Sequence, residues 1–165
     1  MTTQPEPVGG PIIAVGVDDS PAGRAALTWA VHEASQRNGT VRAISVSARP
    51  ELMPATSYAL QPHGLRQPEH DDVERAVWLR GLIDAARAGI ENPPHVTAIL
   101  MTGDPETELT NAARGADLLV VGGHGQGPLA ELFLGSVAAG SVRHAHCPVV
   151  IIPHEVAQTA GAELR

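Results

Sequence analysis

Residues 117–153 read DLLVVGGHGQGPLAELFLGSVAAGSVRHAHCPVVIIP, and this stretch decides the fold class. An apolar run over 117–121 leads into a glycine-rich stretch, and helical spacing follows over about 137–144. A second apolar, β-branched run lies between Pro148 and Pro153. Short, nearly continuous apolar runs are typical of strands that are buried on both faces. The sequence of strand, helix and strand therefore predicts a parallel unit.

The preceding part of the chain repeats this alternation. Ser20 and Asp104 are the expected N-caps of helices that begin with Pro21 and Pro105. The proline-punctuated stretch 49–70 is predicted to hold no regular structure. Strands are predicted over 12–17, 41–46, 96–101, 117–121 and 148–153, and helices over 21–38, about 72–90, from 105, and about 137–144. The prediction is an α/β domain over 11–153 with an open parallel sheet covered by helices, a flexible N-terminus over 1–10 and a tail over 154–165.

Composition narrows the function classes. The 165 residues carry a net charge of −7, and all 11 basic residues are arginine. A phosphate-gripping or Schiff-base lysine is thereby excluded, and an acidic chain with few aromatic residues is a poor partner for nucleic acid or an anionic membrane. The single cysteine, Cys147, has no internal disulfide partner. The first 11 residues lack the layout of a signal peptide, so we expect a cytoplasmic protein.

Two predicted strand ends carry unusual residues. Asp18 follows the first strand, and glycines recur from Gly122 to Gly135 after the fourth. Open parallel sheets bind ligands beyond the carboxyl ends of their strands. Glycines allow the backbone to approach a ligand, and the helix that Ser136 opens offers free N–H donors to an anion. These residues are compatible with a phosphate site without lysine, although ordinary turn chemistry produces the same pattern.

The glycine spacing adds a resemblance. The spacing resembles the nucleotide-binding signature of the universal stress protein family: two residues separate Gly122 from Gly125, nine separate Gly125 from Gly135, and Ser136 follows. The stretches IIAVGVDDSPAGRAALTWA and TGDPETELTNAA are similar to other parts of that family. The resemblance covers about residues 12–153 and implies a Rossmann-like sheet, related to adenine nucleotide alpha hydrolases, with strand order 3-2-1-4-5.

The resemblance also implies a site that binds ATP with Mg²⁺. Asp18 would face the nucleoside near the ribose, and the backbone of Val46 would lie at the adenine edge. Glycines and Ser136 would hold the phosphates, with a divalent ion bridging them, while Gly103 and Pro105 would border the pocket. Ala138 departs from the second Ser or Thr of many members. The expected site residues are Asp18, Val46, Gly103, Gly122, Gly125, Gly135, Ser136 and Val137.

Function is predicted as a nucleotide-responsive stress regulator that switches conformation and acts on an unidentified protein partner. The alternatives are a slow ATPase, a cyclic-AMP-binding protein and a ligand-free dimeric interaction module. Because no arginine lies between Arg114 and Arg143, the glycine stretch supplies no cation for fast phosphoryl transfer. Valine in place of Gly122 or Gly135 is expected to abolish binding and to leave the fold intact.

Two further interpretations concern the C-terminal part of the chain. His144, His146 and Cys147 have the residue types of a metal site, but packing is favoured because their side chains are expected to diverge. The last strand is expected at the edge of the sheet, and an apolar edge invites pairing with a second copy. A homodimer is therefore predicted through Val149, Val150, Ile151 and Ile152.

Overall fold

The computed structural model describes residues 9–48, 68–123 and 134–153. Within these ranges strands and helices alternate, as predicted from the sequence. Their bounds are β1 Ile12–Gly16, α1 Pro21–Gln36, β2 Thr40–Ser47, α2 Pro68–Arg87, β3 Val96–Thr102, α3 Pro105–Ala112, β4 Leu118–Gly122, α4 Ser136–His144 and β5 Val149–Ile152. No helix in this part of the chain is both long enough and apolar enough to cross a membrane.

The five strands form one parallel sheet in the order β3-β2-β1-β4-β5, which confirms the predicted fold class. Helices α1 and α2 cover one face, where Ile13, Leu27 and Leu79 are buried. Helices α3 and α4 cover the other face, where Ile44 and Leu119 are buried. The sheet is therefore apolar on both sides, and for that reason β1, β4 and β5 consist of apolar residues and glycine.

Helices α1 and α3 begin as the sequence predicts. The Ser20 hydroxyl accepts a hydrogen bond from the Gly23 N–H at 3.0 Å, and Pro21 opens α1. Asp104 accepts from the Thr107 N–H at 2.9 Å and from its hydroxyl at 2.7 Å. These bonds favour the ionised carboxylate and hold the pKa of Asp104 below its usual value, with the hydroxyl contributing most.

The ends of α2 differ from the prediction. The helix begins at Pro68 and not near 72, so the prediction of no regular structure is wrong for residues 68–70. Proline is compatible with the first helical position because its fixed φ suits a helix. Gly89 has a φ of +78°, which ends the helical conformation before Ile90. The rest of the proline-punctuated stretch, 49–67, lies outside the described residues, as do 1–8 and 154–165.

Two buried serines provide a matched test of core stability. Ser141 is fully buried, and its Oγ has no hydrogen-bond partner among the described residues. Ser20 is equally buried but caps α1. We expect Ser141→Ala to raise the free energy of unfolding by about 1 kcal/mol, because an unpaired buried hydroxyl is costly. Ser20→Ala should lower it by about 1 kcal/mol through the lost cap.

Urea unfolding, followed by circular dichroism, measures both changes. A Ser141→Ala variant less stable than the wild type would contradict the prediction, since it would mean that the hydroxyl contributes a favourable interaction.

Candidate functional site

A cavity of about 240 Å³ opens at the carboxyl ends of β1 and β4. In the observed strand order, β1 lies between β2 and β4, so successive strands are added on one side of β1 and then on the other, and the strand order reverses at this point. Such a switch point is where open α/β sheets form a ligand crevice. The residues that line the cavity are Gly16, Val17, Asp18, Gly23, Ile44, Val46, Pro105, Leu109, Val121, Gly122, Gly135, Ser136, Val137 and Ala138.

The backbone of Val46 faces the space where β1 has ended. On one side of β2, the Ser47 carbonyl accepts from the Gly103 N–H at 2.9 Å, so odd-numbered residues pair with β3. On the other side, the Ile44 carbonyl accepts from the Val17 N–H at 2.8 Å, where β1 turns away. Because successive residues of a strand alternate sides, Val46 directs its N–H and C=O beyond the end of β1. The cavity thus has one donor and one acceptor on the same edge.

Asp18 is exposed at the mouth of the cavity. Its Oδ1 accepts hydrogen bonds from the Ser20 N–H, at 3.1 Å, and from the Ser20 hydroxyl. A side chain at Gly23 would collide with Oδ1, so the carboxylate can lie against the start of α1 only because residue 23 is glycine. The hydrogen bonds from the described residues reach Oδ1 alone, which leaves Oδ2 available to a ligand hydroxyl.

Gly122 and Gly135 line the cavity, but the structure gives each a further role. A Cβ at Gly122 would lie 2.8 Å from the carbonyl carbon of Ala22 and 3.0 Å from the Gly23 nitrogen, so this glycine allows β4 to pack on α1. The N–H of Gly135 donates to the Gly123 carbonyl at 2.8 Å and is already paired. Gly125 lies outside the described residues.

The start of α4 provides backbone donors at the cavity that the described residues leave unpaired. The N-cap Gly135 has no side chain that could cap the helix. The first N–H groups of a helix lack intrahelical partners, and the residues that carry them, Ser136, Val137 and Ala138, line the cavity. Together with the positive end of the helix dipole, these groups can hold an anion.

Gly103 lies beside the cavity and not in its wall. Its N–H closes the end of the ladder on Ser47, and the side chain of Glu108 packs against it. Pro105, two residues further along, does line the cavity. The turn therefore borders the cavity through its proline.

Charge at the site is mainly negative. Asp18 is the one charged residue among the described residues that line the cavity, and the nearby Arg24 of α1 forms an ion pair with Asp19. The described part of the chain brings together no group of three or more His, Cys, Asp or Glu side chains that could hold a metal ion. Held by the described residues alone, a divalent metal ion at the cavity would therefore also need oxygen atoms of the ligand.

Cys147 and His144, two of the residues with the types of a metal site, make contacts that a metal site does not require. Burial raises the pKa of the Cys147 thiol, and the Asp117 carboxylate adds to this effect, so the unreactive neutral form is favoured. His144 Nε2 lies 3.7 Å from Glu106 Oε1 and links α4 to α3. Both observations agree with packing roles.

Several residues of the cavity wall were not predicted from the sequence. Ile44, Leu109 and Val121 form apolar walls, and in the sequence they are ordinary core positions. Gly23 could have been found, since a glycine in the first turn of a helix is unfavourable without a reason.

The fold and the cavity define this chain as a doubly wound α/β protein with a ligand crevice at its switch point. Residues 11–153 match the model of the Universal stress protein family, and the chain belongs to that family. Universal stress protein Rv2623 of Mycobacterium tuberculosis (strain H37Rv) is 37% identical over 149 residues, covering 87% of this chain and 48% of that protein. This chain thus spans about half the length of the curated relatives that it matches.

Two solved structures share the fold. One is a universal stress protein in complex with cAMP, with a TM-score of 0.61 and 22% identity, covering 88% of this chain and 98% of that chain. The other is the universal stress protein from Archaeoglobus fulgidus in complex with dAMP, with a TM-score of 0.55 and 23% identity over 88% and 98% of the two chains.

Proposed function

We propose that this protein binds an adenine nucleotide in the cavity at the ends of β1 and β4. One observation carries the proposal: the same cavity presents the open backbone edge of Val46 and the unpaired N–H groups at the start of α4. The first can pair with a base and the second with a phosphate. Apolar side chains of Ile44 and Leu109 line the space between them.

Adenine matches the Val46 edge chemically. Its 6-amino group donates, and its N1 accepts, so one C=O and one N–H of the same residue satisfy both groups. Apolar walls suit the faces of the ring. The cavity volume of about 240 Å³ is slightly below the range of about 300–1,000 Å³ of drug-sized pockets, which fits a nucleoside with phosphates extending outward.

Relatives support the class of ligand. Two proteins of the same fold have been solved with cAMP and with dAMP, which are both adenine nucleotides. Each is under 25% identical to this chain, so they support the class and not a choice among nucleotides.

Within this class we favour ATP with Mg²⁺. Asp18 would accept from a ribose hydroxyl through Oδ2, and Ser136 with Val137 would hold phosphate oxygens. These residues fit a magnesium nucleotide, because Mg²⁺ is usually bound through phosphates and keeps several waters. When bound, the ion neutralises phosphate charge beside an acidic site that has no lysine.

The proposed role is regulation and not rapid turnover. Fast phosphoryl transfer needs positioned cations, and the described residues that line the cavity include no lysine or arginine. If the amide donors bind ground state and transition state alike, this uniform binding does not raise the rate of the chemical step. Nucleotide binding would then change a surface that a protein partner contacts, in the cytoplasm and during stress. A slow ATPase, a cyclic-AMP-binding protein and a ligand-free module are the competing functions.

Mass spectrometry of the intact complex, freshly purified from cells, tests the proposal. Bound ATP supports the proposal, and bound cAMP favours the competing function of a cyclic-AMP-binding protein. If calorimetry detects binding of neither nucleotide, the proposal is contradicted. Turnover of about 1 per second, at the low end of ordinary enzymes, would replace the regulator with an enzyme.

We also propose a homodimer through β5. This strand pairs only with β4 in the described sheet, and the Gly123 N–H donates to the Ile152 carbonyl, so odd-numbered residues of β5 direct their amides outward. Ile151→Pro removes an outward N–H and keeps the pairing with β4, so we expect monomers by light scattering. Ile151→Val is the control and should remain dimeric; a monomeric wild type at micromolar concentration would contradict the dimer.

A further inference from the structure

Arg75 of α2 makes contacts that the proposed function has not used. Its Nη2 donates to the Ser45 carbonyl at 3.0 Å and to the Met101 carbonyl at 3.2 Å, while Nη1 donates to Asp72 at 3.0 Å. The side chain is only 19% exposed. A mostly buried guanidinium thus joins the backbones of β2 and β3.

The two carbonyls belong to a part of the sheet where β2 pairs with β3 but no longer with β1. The last pair between β1 and β2 is Gly16 with Ile44, whereas β2 and β3 continue to pair through Ser47. Residues 45–47 of β2 are consequently supported along one edge only. Terminal two-stranded extensions open more easily than the centre of a sheet.

Arg75 and the cavity lie on opposite faces of this extension. Arg75 reaches the strands from α2, which covers the first face. Val46 and Met101 pack with the cluster of the second face, and Val46 lines the cavity. Arg75 therefore holds the Ser45 carbonyl of β2 and the Met101 carbonyl of β3 from the face opposite the cavity, without touching a ligand.

We propose that Arg75 is a positioning residue for base recognition, which rests on the proposed function. By bridging Ser45 and Met101, it keeps the Val46 N–H and C=O in the orientation that an adenine edge needs. A planar guanidinium can donate to two carbonyls at once, and such charge-assisted bonds are stronger than neutral ones. Lysine carries the charge but lacks the fork.

The test compares ATP with ITP, both with Mg²⁺, by calorimetry. In the hypoxanthine of ITP, the 6-amino donor becomes a carbonyl and N1 becomes a donor, so the ratio of the two affinities reports base reading at Val46. We expect Arg75→Met to weaken ATP binding about tenfold, because a displaced Val46 edge loses the equivalent of one hydrogen bond to the base, and to bring the affinity ratio toward 1. Arg75→Lys should fall between Arg75→Met and the wild type.

Arg80→Met is the matched control, since Arg80 is exposed on the same helix and the charge change is identical. It should bind both nucleotides as the wild type does. Hydrogen exchange should be faster at Ser47, which pairs with β3, in nucleotide-free Arg75→Met, and unchanged in Arg80→Met.

An unchanged ratio of ATP to ITP affinity in Arg75→Met would overturn the inference. Equal losses of affinity for both nucleotides give that result, and a merely structural role produces them. If the wild type binds no adenine nucleotide, the proposed function fails and the inference fails with it. The wild-type measurement therefore distinguishes the two failures.

Discussion

Replacing Ser136 with Asp should weaken ATP binding about 100-fold and leave the fold intact. Ser136 is the first residue of α4 and lines the cavity. A carboxylate at a helix N-terminus is favourable by about 0.3–1 kcal/mol, so the helix tolerates it. The same carboxylate occupies the donors and repels a phosphate. Two like charges about 4 Å apart near a protein surface interact by up to about 4 kcal/mol, and about 2.7 kcal/mol suffices for 100-fold.

Ser136→Asn is the neutral control and should lose much less affinity. Adenosine, which has no phosphate, should bind Ser136→Asp and the wild type equally. Calorimetry gives the affinities, and urea unfolding shows that the variant is folded. Wild-type affinity of Ser136→Asp for ATP would remove the start of α4 from the site.

Gly122→Val should lower the free energy of unfolding by about 3 kcal/mol. The added Cβ would meet the backbone of α1, 2.8 Å from the Ala22 carbonyl carbon and 3.0 Å from the Gly23 nitrogen. Backbone atoms in a packed helix cannot move aside as a flexible side chain does, and overpacking of this kind costs about 1–3 kcal/mol or more. From the sequence alone, the fold is expected to survive this replacement, and the close approach of Gly122 to α1 adds the expectation that the surviving fold is less stable.

Gly135→Val is the matched control. Gly135 has φ −58° and ψ 155°, a backbone conformation that any residue adopts. Its unfolding free energy in urea should fall by only about 1 kcal/mol, because valine is a poorer N-cap residue than glycine. A Gly122→Val variant as stable as Gly135→Val would contradict the packing role of Gly122.

The order of strands and helices was predictable because each element carries a local signal. Pro21 after Ser20 and Pro105 after Asp104 mark helix starts through backbone geometry that two or three residues decide. The start of α2 was predicted too late, since residues 68–70 are polar and have no apolar period to indicate a helix.

The candidate site was predictable only in part. Asp18, Gly122 and Ser136 stood out because their residue types are unusual at strand and helix ends, and the cavity indeed brings them together. The paired N–H of Gly135 and the packing of Gly122 on α1 were not predictable. Both depend on atoms of segments that are distant along the chain or that fold back on it.

Local chemistry along the chain was thus enough for the alternation of parallel strands and helices, and for the strand end where a ligand would lie. Tertiary structure alone decided which backbone groups are still unpaired there. Val46 is open because β2 pairs with β1 only as far as Ile44 but with β3 as far as Ser47, and Arg75 reaches β2 and β3 from the opposite face. Hydrogen-bond pairing across a sheet depends on the register of neighbouring strands, and no single segment encodes where its neighbour stops.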